Sequence, residues 1–160
     1  MADLRWAFER EGFENVETVV ASGNVLFEFD ERPSDGLEEL FSHMMADRFD
    51  IDSFVAVRSR DEVLQAIADN PFADDGAENL VHTQFLELQP AAEQFERLLS
   101  DYTGRGAERL ALGSRALYID YVAGAGNTRL TGDFIERRLG CRGTARNIRS
   151  LKRILEKLNC

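Results

Sequence analysis

Val81-His82-Thr83-Gln84-Phe85-Leu86-Glu87-Leu88 is followed at once by Pro90, and then by Ala92, Phe95, Leu98, Leu99 and Tyr102 at helical spacing. This reads as a strand running into an amphipathic helix. Leu110-Ala111-Leu112, a Gly113-Ser114 turn and Leu117-Tyr118-Ile119-Asp120-Tyr121 predict a β-hairpin. Asn127 is expected to cap a helix reaching about Leu139, with a short strand over 144–147 behind it. A last helix carries Ile148, Leu151, Leu155 and Leu158 on one side. The order is β-α-β-β-α-β-α, the string of a ferredoxin-like unit with one extra helix.

Working outward, the N-terminal half repeats the string without its opening strand. Leu4, Ala7 and Phe8 predict a helix over 2–11, and Val16 to Val20 and Val25 to Phe29 flank Ser22-Gly23-Asn24 as a hairpin. Leu37, Leu40, Phe41, Met44 and Met45 predict a helix over 35–48, and 51–57 reads as a strand. Ser59-Arg60-Asp61-Glu62 is a capping box opening a helix that Asn70-Pro71 ends. Residues 73–79 read as a linker. The expectation is an α+β chain of two ferredoxin-like (βαββαβ) subdomains in tandem, 1–78 and 79–160, the first lacking its opening strand. That strand is central in such a sheet, and its loss leaves two rows of unpaired backbone groups. The reading therefore expects a natural chain that starts upstream of Met1, and leaves strand exchange or a homodimer open.

Composition excludes several classes. The chain is 44% hydrophobic and 30% charged, ordinary for a folded protein. No apolar run approaches the roughly 20 residues that would span a bilayer, and the first residues lack the layout of a signal peptide. Cys141 and Cys160 make neither a disulfide framework nor a metal motif, so the cytoplasm is the expected compartment. Net charge is −10, but residues 1–128 hold 26 acids and 10 bases while 129–160 hold 3 acids and 9 bases. The acidic bulk argues against nucleic acid and anionic membrane as partners.

Several segments together resemble the uncharacterised, mostly bacterial family catalogued as domain of unknown function 1697. They are Gly12-Phe13, Ser22-Gly23-Asn24-Val25, Asn70-Pro71-Phe72, His82-Thr83-Gln84-Phe85-Leu86, Leu117-Tyr118, Gly124-Ala125-Gly126 and Gly143-Thr144-Ala145-Arg146-Asn147. Two departures stand out. The family's opening strand segment is missing, and its Trp-Asn-Thr after Arg-Asn is replaced by Ile148-Arg149-Ser150. The resemblance implies the tandem fold and no established activity.

The candidate anion site is Arg146 and Asn147 with Arg149, Lys152 and Arg153. Arginines beside the free N–H groups of a helix start suit phosphate or carboxylate. The plainer account is that Asn147 caps the helix, Arg146 pairs with an acid, and the other bases are solvated. Ser22, Gly23 and Asn24, and Gly124 and Gly126, are candidate loop residues. The second loop lacks the ending of a P-loop, and both also read as turn chemistry. No catalytic constellation, metal site or cofactor motif emerges. His43 and His82 stand alone, and Asp74-Asp75 read as a solvated pair. Arg142 beside Cys141 would lower its pKa. Trp6, Phe27, Phe29 and Phe54 are spaced as core, and Tyr118 is the one exposed aromatic candidate for stacking on a base. The leading expectation is a non-enzymatic binding protein holding a small anionic ligand or an acidic partner near its C-terminal region. Its rivals are an enzyme acting on a small phosphorylated or carboxylated molecule, and a protein that contacts nucleic acid.

Overall fold

The computed structural model describes residues 2–10, 14–18, 24–28, 34–49, 54–122 and 128–158. Helix α1 (Ala2–Arg10) precedes an antiparallel hairpin of β1 (Glu14–Thr18) and β2 (Val25–Glu28), whose register breaks between Glu14 and Glu17. Helix α2 (Ser34–Phe49) follows, and its i, i+4, i+7 residues Leu37, Phe41 and Met44 are all buried. They meet Ala7 of α1, Val16 of β1 and Val57, with Val25 and Phe27 against them, and this is the core of the first half. Phe27 and Phe41 meet edge to face with ring centroids 5.3 Å apart.

The strand expected over 51–57 is not formed where it is described. Residues 54–59 are irregular, and 51–53 lie outside the described residues. The Val57 N–H donates to Glu38 Oε1 of α2 at 3.0 Å instead of to a neighbouring strand. Helix α3 (Arg60–Asp69) then opens on the expected capping box, Ser59 Oγ accepting from Glu62 N and Glu62 Oε1 from Ser59 N. Asn70 and Pro71 close it.

The segment 73–79, expected as a linker, is folded into turns. Gly76 N donates to Phe72 O, and Val81 N to Ala77 O. Arg109 donates to both oxygens of Asp75 at 3.2 Å and also to Asp120, while its guanidinium lies over the Phe72 ring. Asp75 is thereby held below the usual carboxylate range by the Arg109 hydrogen bonds and charge.

The second half is β3 (Val81–Leu86), α4 (Ala92–Tyr102), β4 (Arg109–Gly113), β5 (Ala116–Asp120), α5 (Gly132–Leu139), β6 (Gly143–Asn147) and α6 (Ile148–Leu158). Helix α5 starts later than expected. Thr131, in extended backbone, accepts from Phe134 N and is the cap; Asn127 lies outside the described residues. The four strands form one antiparallel sheet in the order β4-β5-β3-β6. Leu86, Leu117 and Ile119 pack on α4 and α5 through Leu98, Tyr102, Ile135 and Leu139. The other face meets α3 and α6: Phe85 packs with Val63, Ala66, Leu151, Ile154 and Leu155, and Val81 with Tyr118 and Ile148. Leu26 of β2 packs against this second group, so the first hairpin touches both cores. The architecture is mixed α+β with an antiparallel sheet between two helical layers.

A buried carboxylate joins the halves. Glu38 of α2 takes Arg58 Nη1 on Oε1 and Arg115 Nη2 on Oε2, the latter at 2.9 Å. The Glu38 and Arg58 side chains are only 9% and 7% exposed. Arg58 Nη2 continues to the carbonyls of Leu86 and Arg115 at 3.0 and 3.3 Å. Removing one partner of such a pair leaves a buried charge uncompensated, which costs about 3–5 kcal/mol. Glu38→Ala is therefore expected to lower the urea-unfolding free energy by about 3 kcal/mol or more. Arg115→Ala, whose side chain is 30% exposed, is expected to cost less in the same measurement.

Candidate functional site

Strand β6 sets Arg146 opposite Thr83 on the central strand β3, whose other neighbour is Tyr118 of β5. From there the guanidinium reaches the first half. Its Nε donates to Asn24 Oδ1 at 2.8 Å, across 122 residues of sequence, and its Nη1 to Thr144 Oγ1 and Ala145 O at 3.1 and 2.8 Å. Asn24 stands immediately before β2, so the two blocks read separately in the sequence meet at one seam. Burial lowers the Arg146 pKa, because desolvation penalises its charge. The Thr83 hydroxyl is fully buried and finds no hydrogen-bond partner among the described residues.

The other candidates do not converge on Arg146. Asn147 Oδ1 accepts from Ser150 N at 2.8 Å and serves as the cap of α6. Arg149, Lys152 and Arg153 are exposed together, at i, i+3, i+4 on the outer side of that helix. Lys152 Nζ sits 2.8 Å from Glu78 Oε2, and the Arg149 N–H donates to Glu78 O. The salt bridge to Lys152 holds Glu78 below the usual carboxylate range. Ser22, Gly23, Gly124 and Gly126 lie outside the described residues.

Sequence reasoning passed over Glu38, Arg58 and Arg115. Arg115 occupies a left-handed position (φ 47°) in the tight turn between β4 and β5, where a glycine or asparagine is the ordinary signal. Next to this network a cavity of about 130 Å³ opens along α3, bordered by Arg58, Phe85, Arg115 and Tyr118. Tyr118 is buried there, not exposed, and the bare backbone at Gly113 makes room for its ring: a Cβ would come within 2.6 Å of it. Trp6, expected in the core, is instead half exposed with Arg10 over its ring at 5.0 Å, while Phe29 lies outside the described residues.

Against known proteins, the chain matches over residues 1–118 a family described as a protein of unknown function, DUF1697. A solved structure of a conserved bacterial protein, SP0830 from Streptococcus pneumoniae, superposes with a TM-score of 0.62. It is 18% identical, and the alignment covers 100% of this chain and 89% of that one. That likeness is one of fold. No curated protein matches the chain.

Among the described residues no group of histidine, cysteine and acidic side chains is arranged to hold a metal, and no helix is long and apolar enough to cross a membrane. Cys141 is buried, its thiol on the Leu88 carbonyl, and burial pushes its pKa up, opposite to the effect expected from Arg142. His43 is exposed on α2. His82 lies half-buried against Tyr121, ring centroids 4.8 Å apart, with Nδ1 3.1 Å from the Leu80 carbonyl. Burial pushes the imidazole below its ordinary value of 6.5. Between that lowered value and 6.5 the unfolded chain binds a proton that the native state resists. This contribution to stability therefore rises with pH across the window and is lost on acidification. Thermal midpoints measured from pH 7.5 downward to about 5 are expected to fall for the native sequence and to fall less steeply for His82→Gln.

Proposed function

We propose that the chain, which belongs to the DUF1697 family of proteins of unknown function, is a binding protein built from two ferredoxin-like units that holds a small oxyanion where they meet. The strand order β4-β5-β3-β6 supports the architecture, since in a βαββαβ unit it places the first strand between the third and fourth. The order α1-β1-β2-α2-α3 in the first half repeats part of the same string.

The observation that carries the binding reading is the Arg146–Asn24 hydrogen bond at the seam. Asn24 Oδ1 orients a planar guanidinium, the group best matched to carboxylate and phosphate oxygens. Desolvation penalises the Arg146 charge, so an anion seated beside it gains more than it would at a solvated base. The buried Thr83 hydroxyl on the neighbouring strand supplies a further donor on the same side of the sheet. Arg149 and Arg153, solvated on the outside of α6, lack this advantage.

The test is thermal unfolding in rising inorganic phosphate and citrate. A ligand of the native state raises the midpoint by mass action; at a hundred times its Kd the stabilisation is about 2.7 kcal/mol. The expected result is a rise in the native sequence and in an Arg149→Gln/Arg153→Gln double variant, and no rise in Arg146→Gln. Arg146→Lys, which keeps the charge but not the fork, is expected to retain part of it. A rise that survives Arg146→Gln and disappears in the double variant would move the site to the outer face of α6 and overturn the seam.

A further inference from the structure

The geometry points to a second ligand site, independent of Arg146: the cleft along α3 takes a small linear zwitterion, its carboxylate on Arg115 and its ammonium on Asp69. At about 130 Å³ the cavity is far larger than a single water needs and suits a molecule of several heavy atoms. Its lining is ordered by charge. At one end stands Arg115, fixed near the start of α3 because its carbonyl accepts from Arg58 Nη2. Only Arg115 Nη2 is engaged, with Glu38 and the Glu87 carbonyl; Nε and Nη1 donate to none of the described residues. The Ser114 hydroxyl beside it is exposed and also has no partner among them.

At the other end is Asp69, the last residue of α3. Its Oδ1 accepts from Gln65 Nε2 at 2.8 Å, and its Oδ2 has no partner among the described residues. Burial raises the Tyr118 phenol's pKa, and the nearby Asp69 charge adds to the rise. Between the two ends the wall is apolar, made by Ala66, Phe85 and Ala116. Glu62 also borders the cleft, with its Oε1 accepting from Ser59 N in the α3 capping box.

A simple anion entering this cleft meets Asp69, and a simple cation meets Arg115. A molecule carrying both charges satisfies both ends. The ten residues of α3 rise about 15 Å; Asp69 stands at one end of the helix, Arg115 of the β4-β5 turn lies near the other, and both border the cleft between. The remaining span needs an aliphatic spacer of several carbons, which the alanine and phenylalanine wall fits, rather than the single carbon of an α-amino acid.

The experiment is a titration of the whole chain, followed by backbone amide NMR shifts, with glycine, 4-aminobutyrate and 6-aminohexanoate. Hexanoate and hexylamine are the one-charge controls. Affinity is expected to climb along the zwitterion series, with 6-aminohexanoate at least about tenfold tighter than either control and its shifts centred on Ser114 and Ala116. Asp69 is exposed, so Asp69→Asn leaves the fold in place; it is expected to erase the advantage of 6-aminohexanoate over hexanoate, while hexanoate itself binds as well as before or better. Arg146→Gln is expected to change nothing here, which separates this site from the seam. Equal binding of zwitterion and controls, no shifts with any probe, or indifference to Asp69→Asn would each overturn the proposal.

Discussion

One buried carboxylate sets the relation between the two halves. Glu38 projects from α2 into a space almost closed to water, and a lone charge there would cost several kcal/mol. Arg58 and Arg115 remove that cost from two sides, one from the chain just ahead of α3 and the other from the second sheet. Both are themselves tied to backbone, Arg58 to the Leu86 and Arg115 carbonyls and Arg115 to the Glu87 carbonyl. A shift of either half by a single ångström would break several charged hydrogen bonds at once, whereas apolar contacts would tolerate the slide. The network therefore selects one docking among the many that the apolar surfaces alone allow. The left-handed backbone at Arg115 is part of that cost, since a β-carbon disfavours the conformation by roughly 1–2 kcal/mol.

That docking gives the second sheet an unusual cover. One face is filled by α4 and α5 of its own half. The other is roofed by α6 together with α3 from the first half, and the β1-β2 hairpin reaches the same layer through Leu26. A roof assembled from two sources leaves joints. The seam at Arg146 lies where the hairpin's Asn24 arrives, and the cleft at Arg115 lies where α3 stands off the β4-β5 turn. Both polar concentrations follow from how the halves meet and neither belongs to one half alone.

Elements with a repeating apolar period and a terminating signal were legible from the residues. Helix α3 with its Ser59 box, helix α2, both hairpins and strand β3 come out within a few residues of their observed bounds. The misreadings share a cause. Residues 51–57 have strand composition, but the Val57 amide is taken by Glu38, a residue 19 positions away. Tyr118 alternates as an exposed strand residue should, until α3 and the folded turn over 71–80 cover it. Asn127 and Thr131 both carry capping side chains, and periodicity does not say which one the helix uses. The Glu38–Arg58–Arg115 network was illegible because its members are 20 and 77 residues apart and sit in no motif. Only the pairing of halves makes them neighbours.

The charge asymmetry shows how far composition carries a functional argument. Residues 129–160 are rich in bases, which on its own suggests a surface for anions. In the structure several of those bases are answered from within: Lys152 by Glu78, Arg142 by Glu87 and Arg138 by Asp101. Such exposed pairs contribute little stability each, yet together they offset much of the local positive potential. What separates Arg146 from its neighbours is neither its charge nor its place in a basic stretch. Among the described residues, it is the candidate base that the fold takes out of water and orients with a side-chain carbonyl from the other half. Desolvation, not the count of arginines, is what distinguishes Arg146 within its basic segment, and it is on this that the proposed anion site rests.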